Sequence, residues 1–259
     1  MKRRLWLVGL VVAAIAGAMI VQMPASVVEK RLAEMNPALT LQQVSGTIWR
    51  GTFRQASWQG YALGTVSWSL SAVSVFTLRP QLSVWVDGIN IAGQTKLRRQ
   101  WGGAVVAQDS QMTLPATWLQ HILNQPMMGL GGQLEIALDH AQLDDEGWLV
   151  ALTGEAWWRD AAVRGGSGNG QWIVLGDLGL NWQTLDEGAI QGTLKDSGGE
   201  LALDGKVSIA NHAYRVRAQL APRNGDPRLR EALQLFGRPD ASGQVRLDIF
   251  GPLVALREL

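Results

Sequence analysis

His121, His140 and His212 are the only imidazoles in this 259-residue chain, and it contains no cysteine. Thiolate metal centres, disulfide frameworks and a cysteine nucleophile are therefore excluded, and no two of the histidines lie at metal-ligand spacing. Each histidine reads as a surface or half-buried polar side chain. The stretch Arg164-Gly165-Gly166-Ser167-Gly168-Asn169-Gly170 has the composition of a phosphate loop or a nucleophile elbow. It fits neither, because the Gly-Lys-Ser/Thr ending is missing and Ser167 lacks both the required glycine spacing and a following helix. A hairpin tip is the better reading. Asp144-Asp145-Glu146-Gly147 and Asp186-Glu187-Gly188 read as acidic turns, since neither has the alternating ligands of a calcium loop. The sequence thus offers no catalytic, cofactor-binding or metal residue, and an enzyme is not expected.

The elements around these residues are more informative. Met1 is followed by Lys2, Arg3 and Arg4, and Leu5 to Val21 carries no charged or strongly polar residue; the run reaches Met23 if Gln22 is tolerated. About 20 apolar residues suffice to cross a bilayer, so 5–23 reads as a single transmembrane helix. Ala16-Gly17-Ala18 offers a cleavage site for the competing signal-peptide reading, but the apolar run continues past it. The basic flank keeps residues 1–4 cytoplasmic and sends the remainder across the membrane. Removing those three cations leaves 20 basic against 22 acidic residues, so the exported part is mildly acidic and no nucleic-acid partner is indicated.

Residues 24–38 form a membrane-proximal helix and linker: Pro24 suits a first turn, Val28, Leu32 and Met35 share a face, and Asn36-Pro37 stops the helix. Beyond Leu39 the pattern is short alternating runs broken by glycine, as in Gln133 to Leu138, Glu200 to Asp204, Tyr214 to Arg217 and Gln244 to Ile249. Period two with frequent glycine predicts a mainly β domain, a strongly curved antiparallel sheet arranged as a sandwich or open barrel. Two short helices interrupt it, one from about Pro115 to Leu123 and one capped by Asp226-Pro227 and carrying Leu229, Leu233 and Phe236. Each precedes a glycine and a strand at nearly equal distance, Pro115 to Gly132 and Pro227 to Gly243. This spacing predicts two similar halves, 39–143 and 144–259.

Tryptophan is in excess, 12 residues against 4 Phe and 2 Tyr, beside 30 glycines. Trp49, Trp58, Trp68 and Trp85 are expected as core or sheet-covering residues, with a surface cluster facing a partner or lipid as the competing reading. Adjacent residues on a strand face opposite ways, so Trp157-Trp158 should expose at least one ring. The pair is the candidate partner interface, and Trp158→Ala is expected to weaken assembly without unfolding the domain.

The ordered features resemble the type II secretion system protein N family. They are the basic-flanked N-terminal run, Pro24-Ala25, the short helix, the box Gly46-Thr47-Ile48-Trp49-Arg50-Gly51, the cluster Gly64 to Trp68, and the terminal Gly243-Gln244-Val245 strand followed by Gly251-Pro252-Leu253. The likeness covers essentially the whole chain. It implies a non-enzymatic inner-membrane component whose periplasmic domain supports export of folded proteins across the outer membrane. Its partners would be other secretion components, the inner-membrane platform or the secretin. Within the box, Gly46, Thr47, Trp49 and Gly51 are expected to be structural, bending the backbone while the ring covers the sheet. A different function class competes with this one: a periplasmic lipid-handling module that shields acyl chains in a curved-sheet groove.

Overall fold

The computed structural model describes residues 22–118, 128–165, 170–186, 188–234 and 237–253. The proposed transmembrane run falls almost wholly outside them. Among the described residues no helix is long and apolar enough to cross a membrane. Thirteen strands follow one another in chain order in an open antiparallel sheet. A sandwich needs two sheets, so that part of the expectation is replaced by a single meander. The chain packs as two compact units that divide between Ala92 and Gly93. Leu143 to Trp148, where the two halves are expected to join, form the tight connection of a hairpin between two long strands.

In the first unit, helix α1 (Ser26–Met35) precedes β1 (Leu39–Gly46), β2 (Arg50–Trp58), β3 (Tyr61–Leu70), a five-residue helix α2 (Ala72–Phe76) and β4 (Gln81–Asp87). Helix α1 lies on the sheet because Val28 and Leu32, one turn apart, pack against a buried cluster of Ala25, Phe53, Ala56 and Trp68. Met35, the third residue of the expected stripe, is 74 % exposed where the helix ends. The Asn36 N–H closes α1 on the Leu32 carbonyl at 2.9 Å. Helix α2 has no counterpart in the sequence reading, since a run of Val and Ser carries no helical stripe. It is held by Ser71, whose Oγ accepts from the Ser74 N–H at 3.4 Å.

The second unit contains β5 (Ala92–Arg99), whose first residue belongs to the unit before it, and then β6 (Val105–Pro115), β7 (Met128–Leu143) and β8 (Leu149–Gly165). They are followed by β9 (Ile173–Thr184), β10 (Ile190–Asp196), β11 (Leu201–Ala210), β12 (Ala213–Pro222), helix α3 (Pro227–Leu233) and β13 (Val245–Pro252). Pro115 is the last residue of β6 and not a helix start; helix begins at Thr117, and residues 119–127, most of the expected first helix, lie outside the described residues. Helix α3 is where the sequence places it, with the Asp226 carboxylate accepting from the Arg228 N–H at 2.9 Å and Leu229 and Leu233 buried. Phe236 lies outside the described residues.

Strands β7 and β8, at 16 and 17 residues, are far longer than their alternating cores. Bulges explain this. Gly132, at φ +94°, and Asp160, at φ +48°, sit at register shifts and bend the strands without ending them.

The register also makes the sheet two-faced. One row across eight strands reads Met112, Ile136, Ala156, Leu180, Leu194, Gly205, Ala218 and Leu247. The adjacent row, on the opposite face, reads Thr113, Glu135, Trp157, Gly179, Lys195, Asp204, Gln219 and Arg246. Over β6 to β13 one face is mainly apolar, interrupted by Ser110 and Asp196, and the other mainly polar, the pattern period two gives a sheet with one wet side. At the start of β8, Trp148 stacks on His212 of the β11–β12 turn with centroids 4.0 Å apart. Two strands separate them, a flat distance of about 14 Å. Their turns therefore lean together, and that end of the sheet is curved.

Candidate interaction surface

The two adjacent tryptophans of β8 take opposite faces. Trp158 joins the apolar face: its Nε1–H donates to the Gly131 carbonyl at 2.8 Å, and the ring packs on the cluster of Ala161, Leu175, Leu201, Leu203 and α3. Trp157 lies on the polar face, where Nε1–H donates to Glu155 Oε2 at 3.2 Å and the Arg159 guanidinium stands 4.4 Å from the ring centroid. The candidate pair is therefore divided. Both rings are half-buried, Trp158 against the core cluster and Trp157 on the opposite face.

Arg159 is held from both sides, by Glu135 Oε2 on β7 and by Asp177 Oδ2 on β9, each at 3.0 Å. Donating to the Glu135 and Asp177 carboxylates raises its pKa above the ordinary guanidinium value. The Asp160 N–H, and after it the Arg159 side chain, hold the Asp177 carboxyl below its ordinary range. The result is a rigid polar strip beside the Trp157 ring. Next to it a concavity of about 330 Å³ is lined by Trp157, Gly179, Asn181, Thr193 and Lys195. A second one, of about 520 Å³, follows on the same face over β11 to β13, with Lys206, Arg215, Arg217 and Arg246 against Asp204 and Asp248. Asp248 binds Arg215 through both carboxylate oxygens, at 2.8 and 2.6 Å. None of this network shows in the sequence, because its members come from strands up to 33 residues apart and only register brings them together.

The box residues form the β1–β2 turn. The Thr47 N–H donates to the Arg50 carbonyl at 2.8 Å, and Thr47 Oγ1 accepts from the N–H groups of Trp49 and Arg50 at 3.3 and 3.4 Å. Gly46 has φ +97°, and a Cβ there would run into the Arg50 carbonyl. Gly51 pairs with Trp68, and a Cβ would overlap that ring. Trp68 is buried and donates to the Ile48 carbonyl at 3.2 Å; Trp49 and Trp58 are half-buried, whereas Trp85 is 42 % exposed. The turn also holds the N-terminal segment, since Ala25 N–H donates to Gly46 O at 3.1 Å and Ile48 N–H to Met23 O at 3.0 Å.

His140 is half-buried within β7, His212 stacks on Trp148, and His121 lies outside the described residues. Asp144 uses its carboxylate as a turn cap, accepting from the Glu146 and Trp148 N–H groups at 3.0 and 2.8 Å. The Gly-rich tip joins paired β8 and β9, but residues 166–169 are outside the described residues. Among the described residues no three His, Asp or Glu side chains are grouped to hold a metal ion.

The sequence profile described as type II secretion system (T2SS), protein N, matches residues 37–248. The chain belongs to that family. A relative named type II secretion system protein N from Aeromonas hydrophila is 26 % identical over 256 residues, covering 95 % of this chain and 98 % of its own length. Proteins of the same name from Klebsiella pneumoniae and Vibrio cholerae are each 27 % identical, over 214 and 250 residues, covering 79 % and 90 % of this chain and 80 % and 92 % of their own lengths. No solved structure matches the chain. The family match spans the sheet from the start of β1 into β13, so membership rests on sequence along almost the whole sheet and not on the box alone.

Proposed function

We propose that this protein is a non-enzymatic, single-pass inner-membrane subunit of the type II secretion system whose periplasmic sheet acts as a scaffold or assembly surface for other components, in the inner-membrane platform or the secretin. Residues 1–4 are cytoplasmic, 5–23 span the bilayer, 24–38 link the span to the sheet, and 39–143 and 144–259 are two related β-rich halves. The observation that carries this reading is family kinship across 37–248 together with the wet face built around Trp157 and Arg159. A half-buried aromatic ring on the polar face, beside an arginine held by two carboxylates, is a composition found at protein contacts. Cross-linking in intact membranes tests it: secretion components should be recovered with the periplasmic part, and their absence from every labelled position would overturn the assignment. Alkaline extraction should leave the full chain in the membrane, and deletion of 1–23 should release it.

One observation favours a second reading, a lipid-handling module. The apolar row from Met112 to Leu247 is unbroken by any polar side chain and crosses eight strands, about 34 Å at ordinary strand spacing. An acyl-chain carrier requires such a lining, and a scaffold does not. Phospholipid recovered in stoichiometric amount from purified full-length protein by mass spectrometry would move the assignment to this reading.

A further inference from the structure

The two outer strands of the sheet are finished differently. On β1, residues 23–25 occupy the outer side of the box, and Gln43, at φ +54°, interrupts the ladder. Such devices blunt an edge against pairing. On β13, among the described residues, no strand follows on the outer side.

The Leu253 N–H donates to the His212 carbonyl at 2.8 Å, and the register runs unshifted from Pro252↔Ala213 to Val245↔Leu220. Bonded and non-bonded pairs alternate in an antiparallel ladder, so Leu247, Ile249 and Gly251 bond inward to β12. The N–H and C=O groups of Arg246, Asp248 and Phe250 point outward. Gly237 shields the first of these, for a Cβ on it would lie 3.4 Å from the Arg246 carbonyl oxygen. Pro252, without an N–H, limits the other end. Between them, Asp248 and Phe250 present two donors and two acceptors. Phe250 is 79 % exposed on the polar face and Ile249 42 % exposed on the apolar face.

We infer that the outer edge of β13, centred on Asp248 and Phe250, receives an extended strand from another secretion component, which completes the ladder by β-augmentation. This rests on the proposed role as a secretion subunit. The unpaired ladder groups specify a strand as the occupant, since no helix or lipid satisfies them in register. Side-chain chemistry narrows it further: Lys206, Arg215, Arg217 and Arg246 outnumber Asp204 and Asp248 on the adjoining face. The incoming strand therefore carries an apolar side chain beside Phe250 and an acidic one toward Arg217 and Arg246.

The test places a photo-reactive phenylalanine analogue singly at 157, 248, 250 and 252 of the full chain, in cells holding the other secretion components, and maps the cross-linked residue by mass spectrometry. Strand pairing predicts that moving the probe from 248 to 250 moves the partner site by two residues. Phe250→Pro should lower the cross-linking from position 248 at least tenfold and Phe250→Leu should not, with melting temperatures unchanged. If Phe250→Pro also lowers melting, protection of the Asp248 and Phe250 amides against hydrogen exchange in the cross-linked complex decides, and unprotected amides overturn the inference. Component cross-links from 157 but not from 248 or 250 would overturn the inference and leave the secretion role standing. Cross-links only to β13 of a second copy would overturn it as well, and no component from any position would remove both.

Discussion

The excess of tryptophan and glycine is explained one pair at a time. Gly51 lies opposite Trp68, Gly179 opposite Trp157, Gly192 opposite Trp182, and Gly251 opposite Tyr214. In each pair a Cβ on the glycine would press into the ring across the strand, so the missing side chain on one strand is the seat for an aromatic on the next. The cost of filling the seat depends on whether the ring can move. Gly51→Ala forces the buried Trp68 aside and should cost about 3 kcal/mol in urea unfolding, near the upper range for overpacking. Gly179→Ala displaces only the half-exposed Trp157 and should cost less than about 1 kcal/mol. Likewise Trp158→Ala, which removes a half-buried ring packed against the core and its bond to the Gly131 carbonyl, should cost about 3 kcal/mol. Trp157→Ala should leave unfolding nearly unchanged while weakening component cross-links. If Trp157→Ala melts the domain and Trp158→Ala does not, the assignment of faces is wrong. Adjacent tryptophans facing opposite ways was legible in the sequence; which one met the core was not, because that depends on the bulge at Asp160 and the position of α3.

At the scale of elements, helix signals were readable where a cap and a stripe agreed. Asp226-Pro227 with Leu229 and Leu233 marks α3, and all four serve as their spacing requires. Asp226→Ala should lower stability by about 1 kcal/mol through loss of the cap. Leu229→Ala, at a side chain only 1 % exposed, should cost about 3 kcal/mol and loosen β11 and β12 together in hydrogen exchange. Protection lost in β5 and β6 instead would contradict the packing of α3 on that cluster. Strand ends were less readable. Glycines that suggest turns, such as Gly132 and Gly154, lie inside β7 and β8 at positive φ. A bulge and a turn demand the same residue, so composition does not separate them.

For the whole molecule, four carboxyls bind the sheet connections and the polar face in their charged form. Asp177 is stabilised by the Asp160 N–H and Arg159; Asp240 by Ser242 and the Gln244 N–H; Asp248 by Arg215. At Asp196 burial opposes ionisation, yet the Leu203 and Gly198 N–H groups and Arg223 outweigh it. All four have pKa values lowered from the ordinary 3.8. Their contribution is complete above that value and is lost as pH falls through it toward the lowered folded values. The melting temperature should be level from about pH 7 to 5 and fall below about pH 4. Asp196→Asn should flatten that fall, and an unchanged acid limb would show that the β10–β11 connection does not depend on the charge.

The sequence by itself determined the family, the basic-flanked apolar start, the dominance of β structure and the alternation that makes each strand two-faced, because these depend on order and period along the chain. Only the tertiary structure decided that the strands form one open sheet with an apolar row across β6 to β13, that Arg159 stands between Glu135 and Asp177, and that β13 is left with outward ladder groups. Those properties belong to register and neighbours across strands. A period of two carries no record of which strand lies alongside, and a shift of one residue would exchange the faces.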